Sequence, residues 1–191
     1  MTLPAVKTSM DRAGFLAWEA RQTEKHEYWH GEVFAMVGAR QVHVIVTGNC
    51  YALLRAHLRG TGCRVYMADM QLEVEAADAA FYPDVFVSCE AADLAADRVL
   101  RHPKVVIEVL SDSTAAYDRG AKFAAYRKLD SLQEYVLIDP DQATVEIFRR
   151  IEGGDWLLAT RDSERGLVLK SLDFEAALAD VFEDVAPPSA A

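Results

Sequence analysis

Three residues of this chain have types and spacing that could do chemistry. Glu108 stands in "KVVIEVLSDST" (104–114), a run of branched aliphatics that reads as a strand buried on both faces. Asp84 stands in "FYPDVFVSC" (81–89), after Pro83 and before a second apolar run. An ionised carboxylate in such surroundings has to be paired, hydrogen-bonded, metal-bound or neutralised. Strand alternation puts Val105, Ile107 and Val109 on one face and Val106, Glu108 and Leu110 on the other. Taken alone, Glu108 is either a strand-end carboxylate that caps neighbouring backbone or part of a site. Asp84 shifts the balance toward a site. Pro83 cannot donate to a sheet ladder, which places Asp84 at a strand beginning. An Asp after Pro taken alone reads as turn chemistry, and only the pairing with Glu108 makes it a site candidate. An Asp and a Glu on neighbouring strands repel unless a divalent cation lies between them, and Mg²⁺ takes oxygen ligands of this kind.

The third residue is Lys122. On a helix over "STAAYDRGAKFAAYRKLD" (113–130), positions 115, 118, 122, 125, 126 and 129 form one stripe, so Lys122 lies within a partly apolar face. One reading is an ordinary i,i+4 pair with Asp118, worth about 0.3 kcal/mol on a surface helix. The other aims the ammonium at the carboxylates, to position a nucleophilic water or stabilise a pentavalent phosphorane.

The elements that must position these residues follow from periodicity. A first helix is expected over about residues 8–24. "HEYWHGEVFAMVG" (26–38) alternates around His30-Gly31 and predicts a β-hairpin. A second helix over about 41–59 carries the stripe His43, Val46, Cys50, Leu53, Leu54 and His57, and Gly60 and Gly62 end it. Strands follow at about 63–67, 69–75, 83–88 and 104–110. The third helix comes next, with Ser113 or Thr114 as its cap. "EYVLIDP", "TVEIFRR" and "WLLATR" then predict three strands, and a short helix lies near 173–180. Interleaved strands and helices predict an α/β domain with a mixed central sheet. It spans residues 8–182, with 1–7 and 183–191 as loose tails.

Bulk properties restrict the function classes. The 191 residues are 51% hydrophobic, enough for one sizeable core. No 18-residue apolar stretch exists, so no membrane partner is expected, and the N-terminus does not read as a secretory signal. Cys50, Cys63 and Cys89 are odd in number and widely spaced, which predicts three buried free thiols in a cytoplasmic protein. The net charge is −10, and the deficit is concentrated in residues 61–100, with 2 basic and 8 acidic side chains, and 151–191, with 3 and 9. Such a balance counts against a simple DNA-binding module, but not against an enzyme that gathers metal ions at a carboxylate cluster. Hydrolysis by a nucleophilic serine lacks support: no G-x-S-x-G turn is present, and helix capping explains "SDST". No glycine-rich phosphate loop is present either.

The blocks "HEYWHGEVFAMVG", "YPDVFV", "VVIEVLSDST", "YDRGAKFAAYRKL" and "EYVLIDP", with His43 between the first two, resemble the Uma family of restriction-endonuclease-like proteins, a domain of unknown function. The resemblance covers about residues 10–175. It implies the PD-(D/E)XK nuclease fold: a restriction-endonuclease-like core with a mixed sheet flanked by helices, preceded here by the N-terminal helix and hairpin. It also implies a Mg²⁺ (or Mn²⁺) cofactor and nucleic acid, DNA foremost, as substrate. Asp84 then matches the aspartate of the "PD" element, Glu108 the second acidic residue, and the Val109 carbonyl a further metal ligand. The general pattern has lysine at 110, where this chain has Leu, and in this family the lysine is displaced onto the following helix, which points to Lys122. Glu32 and His43 also match family blocks. Glu32 is either an auxiliary acidic residue or a solvent-facing strand residue beside a turn. His43 is either a site residue or a core histidine on its apolar stripe.

Two readings of function remain at this stage. One is a metal-dependent endonuclease. The other is a nuclease fold kept as a binding or assembly module with little catalysis, which Leu110 and the acidic balance favour. Lys122 discriminates between them: catalysis needs its ammonium within hydrogen-bonding reach of the metal site. The aromatics of 143–158 serve either a homodimer contact or the core.

Overall fold

The computed structural model describes residues 5–36, 38–161 and 166–185. The chain first builds an antiparallel hairpin from β2 (His26–Trp29) and β3 (Glu32–Ala35), with β1 (Ala5–Lys7) added to the outer edge of β3. Residues 5–7, expected to be part of a loose tail, therefore form a strand, while 186–191 lie outside the described residues. The hairpin turn is the one foreseen: His30 and Gly31 both have positive φ, 48° and 82°, as a two-residue turn that follows the strand twist requires. Between β1 and β2 lies α1 (Arg12–Glu19), shorter than its expected span. Asp11 caps it by accepting the Gly14 N–H at 2.7 Å, so it starts four residues later than the apolar pattern implies.

After α2 (Gln41–His57) come β4 (Arg64–Met67), β5 (Gln71–Val74), β6 (Ala79–Phe81), β7 (Val85–Ser88), α3 (Ala91–Ala95), β8 (Val99–Leu100) and β9 (Pro103–Val109). Strands β6 and β8 were not expected; at three and two residues they are too short to show alternation. The hairpin thus grows into a six-stranded sheet of order β1-β3-β2-β6-β5-β8. The C-terminal half supplies β10 (Glu134–Asp139), β11 (Thr144–Arg150) and β12 (Trp156–Arg161). They complete a second six-stranded sheet, β12-β11-β10-β9-β7-β4, which is mixed because β9 and β10 run parallel.

Two cores flank this mixed sheet, as the alternation of β9 demands. Val105, Ile107 and Val109 face Val46, Cys50 and Leu54 of α2. Val106 and Leu110, the face of Glu108, pack with Phe81 of the other sheet and with Phe123 and Tyr126 of the third helical segment. That segment is not one continuous α-helix. Ala115–Tyr117 (α4) passes through a π-helical turn, Asp118–Lys122, into α5 (Phe123–Tyr126). Thr114 makes no side-chain cap bond; its hydroxyl pairs with Ser111 and with Asp118. Phe148 packs tilted against Phe123, with ring centroids 4.4 Å apart, and Trp156 meets it edge-on at 5.4 Å, so both partly buried rings make core contacts.

The expected helix near 173–180 is instead β13 (Leu167–Leu169) paired with β14 (Phe174–Ala176), followed by the short α6 (Leu178–Val181). The cysteine expectation is corrected as well. Cys63 and Cys89 form a disulfide, and Cys50 alone remains a buried thiol. The antiparallel register of β4 on β7, Arg64 opposite Ser88, sets the two cysteines side by side just beyond the paired ends. Closing a loop of 26 residues is worth roughly 3.5 kcal/mol in the chain-entropy picture. Among the described residues no helix is long and apolar enough to cross a membrane.

Candidate active site

The chain crosses from one sheet to the other at Tyr82-Pro83-Asp84, between β6 and β7, and the crossing meets the end of β9. The register of β7 on β9, Val85 opposite Ile107, sets Asp84 beside Glu108. The two residues lock each other: the Asp84 N–H donates to Glu108 Oε2 at 3.3 Å, and the Val109 N–H donates to Asp84 Oδ2 at 2.8 Å. Each carboxylate therefore caps backbone of the neighbouring strand, as a strand-end acid would, and the same bonds hold the pair at the head of a cleft. The cleft has a volume of about 330 Å³, and Glu27, His43, Asp118 and Lys122 also line it.

Lys122 lies near the acids named in both of its sequence readings. Its Nζ lies 3.6 Å from Asp118 Oδ1, the i,i+4 partner, 3.2 Å from Glu108 Oε1 and 3.0 Å from Glu27 Oε1. The required reach to the carboxylate pair is met. The residue is buried, 7% exposed, so this is not a surface helix pair. It sits at the last position of the π-helical turn, a local geometry that recurs at functional sites. Below it, Tyr126 donates its hydroxyl to Glu108 Oε1 at 3.0 Å, and Tyr135 donates to the Asp118 carbonyl at 2.9 Å.

The electrostatics follow from crowding. Burial pushes the Glu108 pKa well above the usual carboxylate range; Lys122 opposes the rise, and Asp84, Asp118 and Glu27 add to it. Glu27 and Asp118 are raised for the same first reason, with Lys122 again opposing. For Lys122 burial works against the charge, but the anionic partners, Glu108 and Glu27 foremost, outweigh it and hold the ammonium well above its ordinary range. One lysine is thus shared by three buried acids, with a fourth, Asp84, at the cleft surface.

His43 enters from the first turn of α2. Its Nε2 is 3.2 Å from Asp84 Oδ2, and it hydrogen-bonds the Val109 backbone. Burial lowers its pKa, but the bond to Asp84, that carboxylate's charge and the Val109 contact reverse the sign, so its net shift is upward. The structure therefore brings together Asp84, Glu108, Val109, Lys122 and His43. Glu32 is placed elsewhere, on β3 opposite Lys7 of β1 and Trp29 of β2.

The acid that the hairpin does deliver to the cleft is Glu27, which sequence reasoning missed. It accepts the Tyr82 N–H at 3.1 Å, tying β2 to the crossing segment. A signal was available: Glu27 shares its strand face with Trp29 and lies opposite Phe34, an acid among aromatics, the same anomaly that singled out Glu108. Tyr82 was missed too. Its hydroxyl donates to Glu19 at 3.2 Å, and that carboxylate also accepts the His26 N–H, so α1 braces the crossing from behind.

The donor chemistry suits a hard divalent cation. Among the described residues no three His, Cys, Asp or Glu side chains converge in metal-binding geometry. The oxygen donors at the cleft head are two carboxylates and the Val109 carbonyl, and Mg²⁺ is usually held by one or two carboxylates plus waters and substrate phosphates.

The fold is that of a solved structure described as a "putative nuclease belonging to DUF820" from Anabaena variabilis, with a TM-score of 0.74, 18% identity, and coverage of 91% of this chain and 97% of that one. Two uncharacterized proteins of Synechocystis sp. are similar in sequence. One, slr1290, is 33% identical over 172 residues, 90% of each chain. The other, sll1609, is 32% identical over 160 residues, 83% of this chain and 90% of its own. Residues 12–179, which include every cleft residue named above, match the family Uma2, described as "Putative restriction endonuclease", and the chain belongs to that family.

Proposed function

We propose that the protein is a divalent-metal-dependent endonuclease that hydrolyses phosphodiester bonds of DNA. The observation that carries this reading is the Asp84–Glu108 pair, interlocked across adjacent strands at the head of a cleft, with the Lys122 ammonium 3.2 Å from Glu108. Asp84, Glu108 and the Val109 carbonyl would hold Mg²⁺ or Mn²⁺. The ion, when bound, supplies a Lewis acid for the phosphoryl oxygens and lowers the pKa of water. The protein's own groups do the rest. Tyr126 fixes the Oε1 edge of Glu108, and the Val109 N–H fixes Asp84 Oδ2, so both acids are presented to the cleft in one orientation. Glu27 and Asp118 hold Lys122 charged and facing the pair, where its ammonium can donate to an attacking water or to an oxygen of the phosphate under attack. His43 steadies Asp84 from the α2 side.

A specific observation favours the second reading, a nuclease fold used for binding. Glu27 and Glu108 already take the Lys122 ammonium at 3.0 and 3.2 Å, and Asp118 stands 3.6 Å away, which leaves it at most one donor for an incoming group. A metal-titrated panel of DNA and RNA substrates separates the two. We expect cleavage that requires Mg²⁺ or Mn²⁺ and falls by about 10²–10³-fold in Asp84→Ala, Glu108→Gln and Lys122→Met. Nucleic-acid binding without cleavage by the wild type would establish the binding module. Neither binding nor cleavage, with metal or without, would overturn the nuclease reading.

A further inference from the structure

At the mouth of the cleft an arginine is already engaged in the kind of contact a phosphate makes. Arg40 directly precedes α2, one turn before His43, and its side chain is half exposed. It grips Asp141 with both ends of its fork: Nη1 to Oδ2 at 2.7 Å and Nη2 to Oδ1 at 2.8 Å. Asp141 is held ready for this contact. It lies in the turn after β10, where Asp139 Oδ1 accepts the N–H groups of Asp141 and Gln142 at 3.0 and 3.1 Å. The end of β10 is paired to the end of β9, Ile138 opposite Val109, so the ion pair spans the same end of the sheet that carries the site.

The cleft's charge inventory gives this pair its meaning. Five carboxylates line the cleft against three basic side chains, Arg40, His43 and Lys122. Lys122 is buried among three acids and His43 is bound to Asp84, whereas Arg40 stands on the exposed rim. A polyanion entering so acidic a cleft needs a cation beyond the reacting centre. A guanidinium fork makes the same two parallel bonds to a phosphate as to a carboxylate.

We propose that Arg40 binds a backbone phosphate next to the one being cleaved, and that Asp141 occupies its fork until nucleic acid displaces it. This rests on the nuclease reading and adds a named substrate contact with a built-in competitor. Exchange is feasible because the pair is open to solvent on both sides and a phosphate restores the two parallel bonds that the carboxylate gives up.

The test uses the full chain carrying Glu108→Gln, so that substrate survives, with divalent ion present. Fluorescence anisotropy then follows a short labelled DNA duplex and its single strand across a salt series. Asp141→Asn should tighten binding by about two- to fivefold, the range set by freeing an exposed ion pair. Arg40→Ala should weaken binding and reduce the magnitude of the log–log salt slope by about one phosphate contact, roughly 0.9 for duplex. Arg40→Lys should keep the slope but recover only part of the affinity. In the Arg40→Ala background, Asp141→Asn should give no gain. A gain that persists there would mean that removing any acid suffices, and it would overturn the role of Arg40. So would an Arg40→Ala variant that binds with wild-type affinity and slope. A chain with Arg40 and Asp141 intact that binds neither DNA form and cleaves nothing before the Glu108→Gln change would overturn the nuclease reading and the phosphate contact with it.

Discussion

Buried acids lie at both ends of the mixed sheet, and they are treated in opposite ways. At the end where β9 begins, Asp93 and Glu134 are 3% and 2% exposed, and Glu108, at the other end, is 2% exposed. Asp93 accepts the Ser88 hydroxyl at 2.8 Å, the backbone N–H groups of Arg101 and His102 at 3.0 and 2.8 Å, and pairs with the His102 ring at 3.1 Å. Burial works against its charge, but these donors outweigh it, and its pKa lies below the ordinary range. Glu134 likewise takes Arg149 at 2.8 Å, the N–H groups of Lys170 and Ser171, and the Ser171 hydroxyl at 2.7 Å. At the site end, Glu108 shares a single lysine with two other acids, and its pKa is driven up. All three are shielded from solvent, but Glu108 lies deeper than Asp93 and beside three other acids. Asp93 and Glu134 each receive four donors, which separates an acid that holds the fold together from one that is short of positive charge. The shortage is what a cation would relieve.

That contrast can be broken most forcefully at the structural end. Glu134→Ala strands the Arg149 guanidinium, two backbone N–H groups and a hydroxyl, and should cost about 3–5 kcal/mol. Urea unfolding measures this, and the affinity for divalent ions should be unchanged. If metal affinity fell together with stability, the two ends would not be independent.

Lys122→Met is the complementary test at the site end. Removing the ammonium leaves Glu27, Glu108 and Asp118 without their shared cation, and the metal-free protein should lose about 2–4 kcal/mol. A divalent ion should restore part of that loss, so the rise in Tm on adding Mn²⁺ should be larger for Lys122→Met than for the wild type. An equal or smaller rise would show that the carboxylates do not gather a cation.

Acidity gives a smaller effect of opposite sign at the two ends. Asp93 has a depressed folded pKa, so its contribution is present above its unfolded value, near 3.9, and is lost as pH falls through the folded value. Asp93→Asn should therefore be destabilising at neutral pH, with a penalty that shrinks in acid. Glu108 has a raised folded pKa, so ionising it penalises the fold above its unfolded value, near 4.3. Glu108→Gln should be neutral or stabilising at pH 7, and any gain should disappear as pH falls below that value. Stability curves for both variants across the acid range check the two signs.

The same comparison explains what was legible in the sequence. Glu108 stood out because a carboxylate inside "KVVIEVL" interrupts an apolar run, and Asp84 because it opens a second apolar run right after a proline. Both are local anomalies. The hairpin turn, α2 and the long strands β9, β10 and β11 were legible for the same reason, since each carries its periodicity within its own residues. Tyr126 and Asp141 gain their meaning only from partners 18 and 101 residues away, across a register that no local pattern encodes. Glu27 stands out locally among aromatics, but its partner Lys122 does not follow from its strand. The Cys63–Cys89 bridge depends in the same way on the β4–β7 pairing. The π-helical turn that presents Lys122 is likewise hidden, because "DRGAK" fits an unbroken helix equally well in isolation.

The central claim is that Asp84 and Glu108 form a cation site and are not merely a mutual strand cap. Calorimetric titration of Mn²⁺ and Mg²⁺ into the wild type, Asp84→Ala and Glu108→Gln, without nucleic acid, tests it most directly. Saturable binding to the wild type, weakened at least about tenfold in either variant while both remain folded, is the predicted result. Binding of equal strength in all three proteins, or in none, would contradict it.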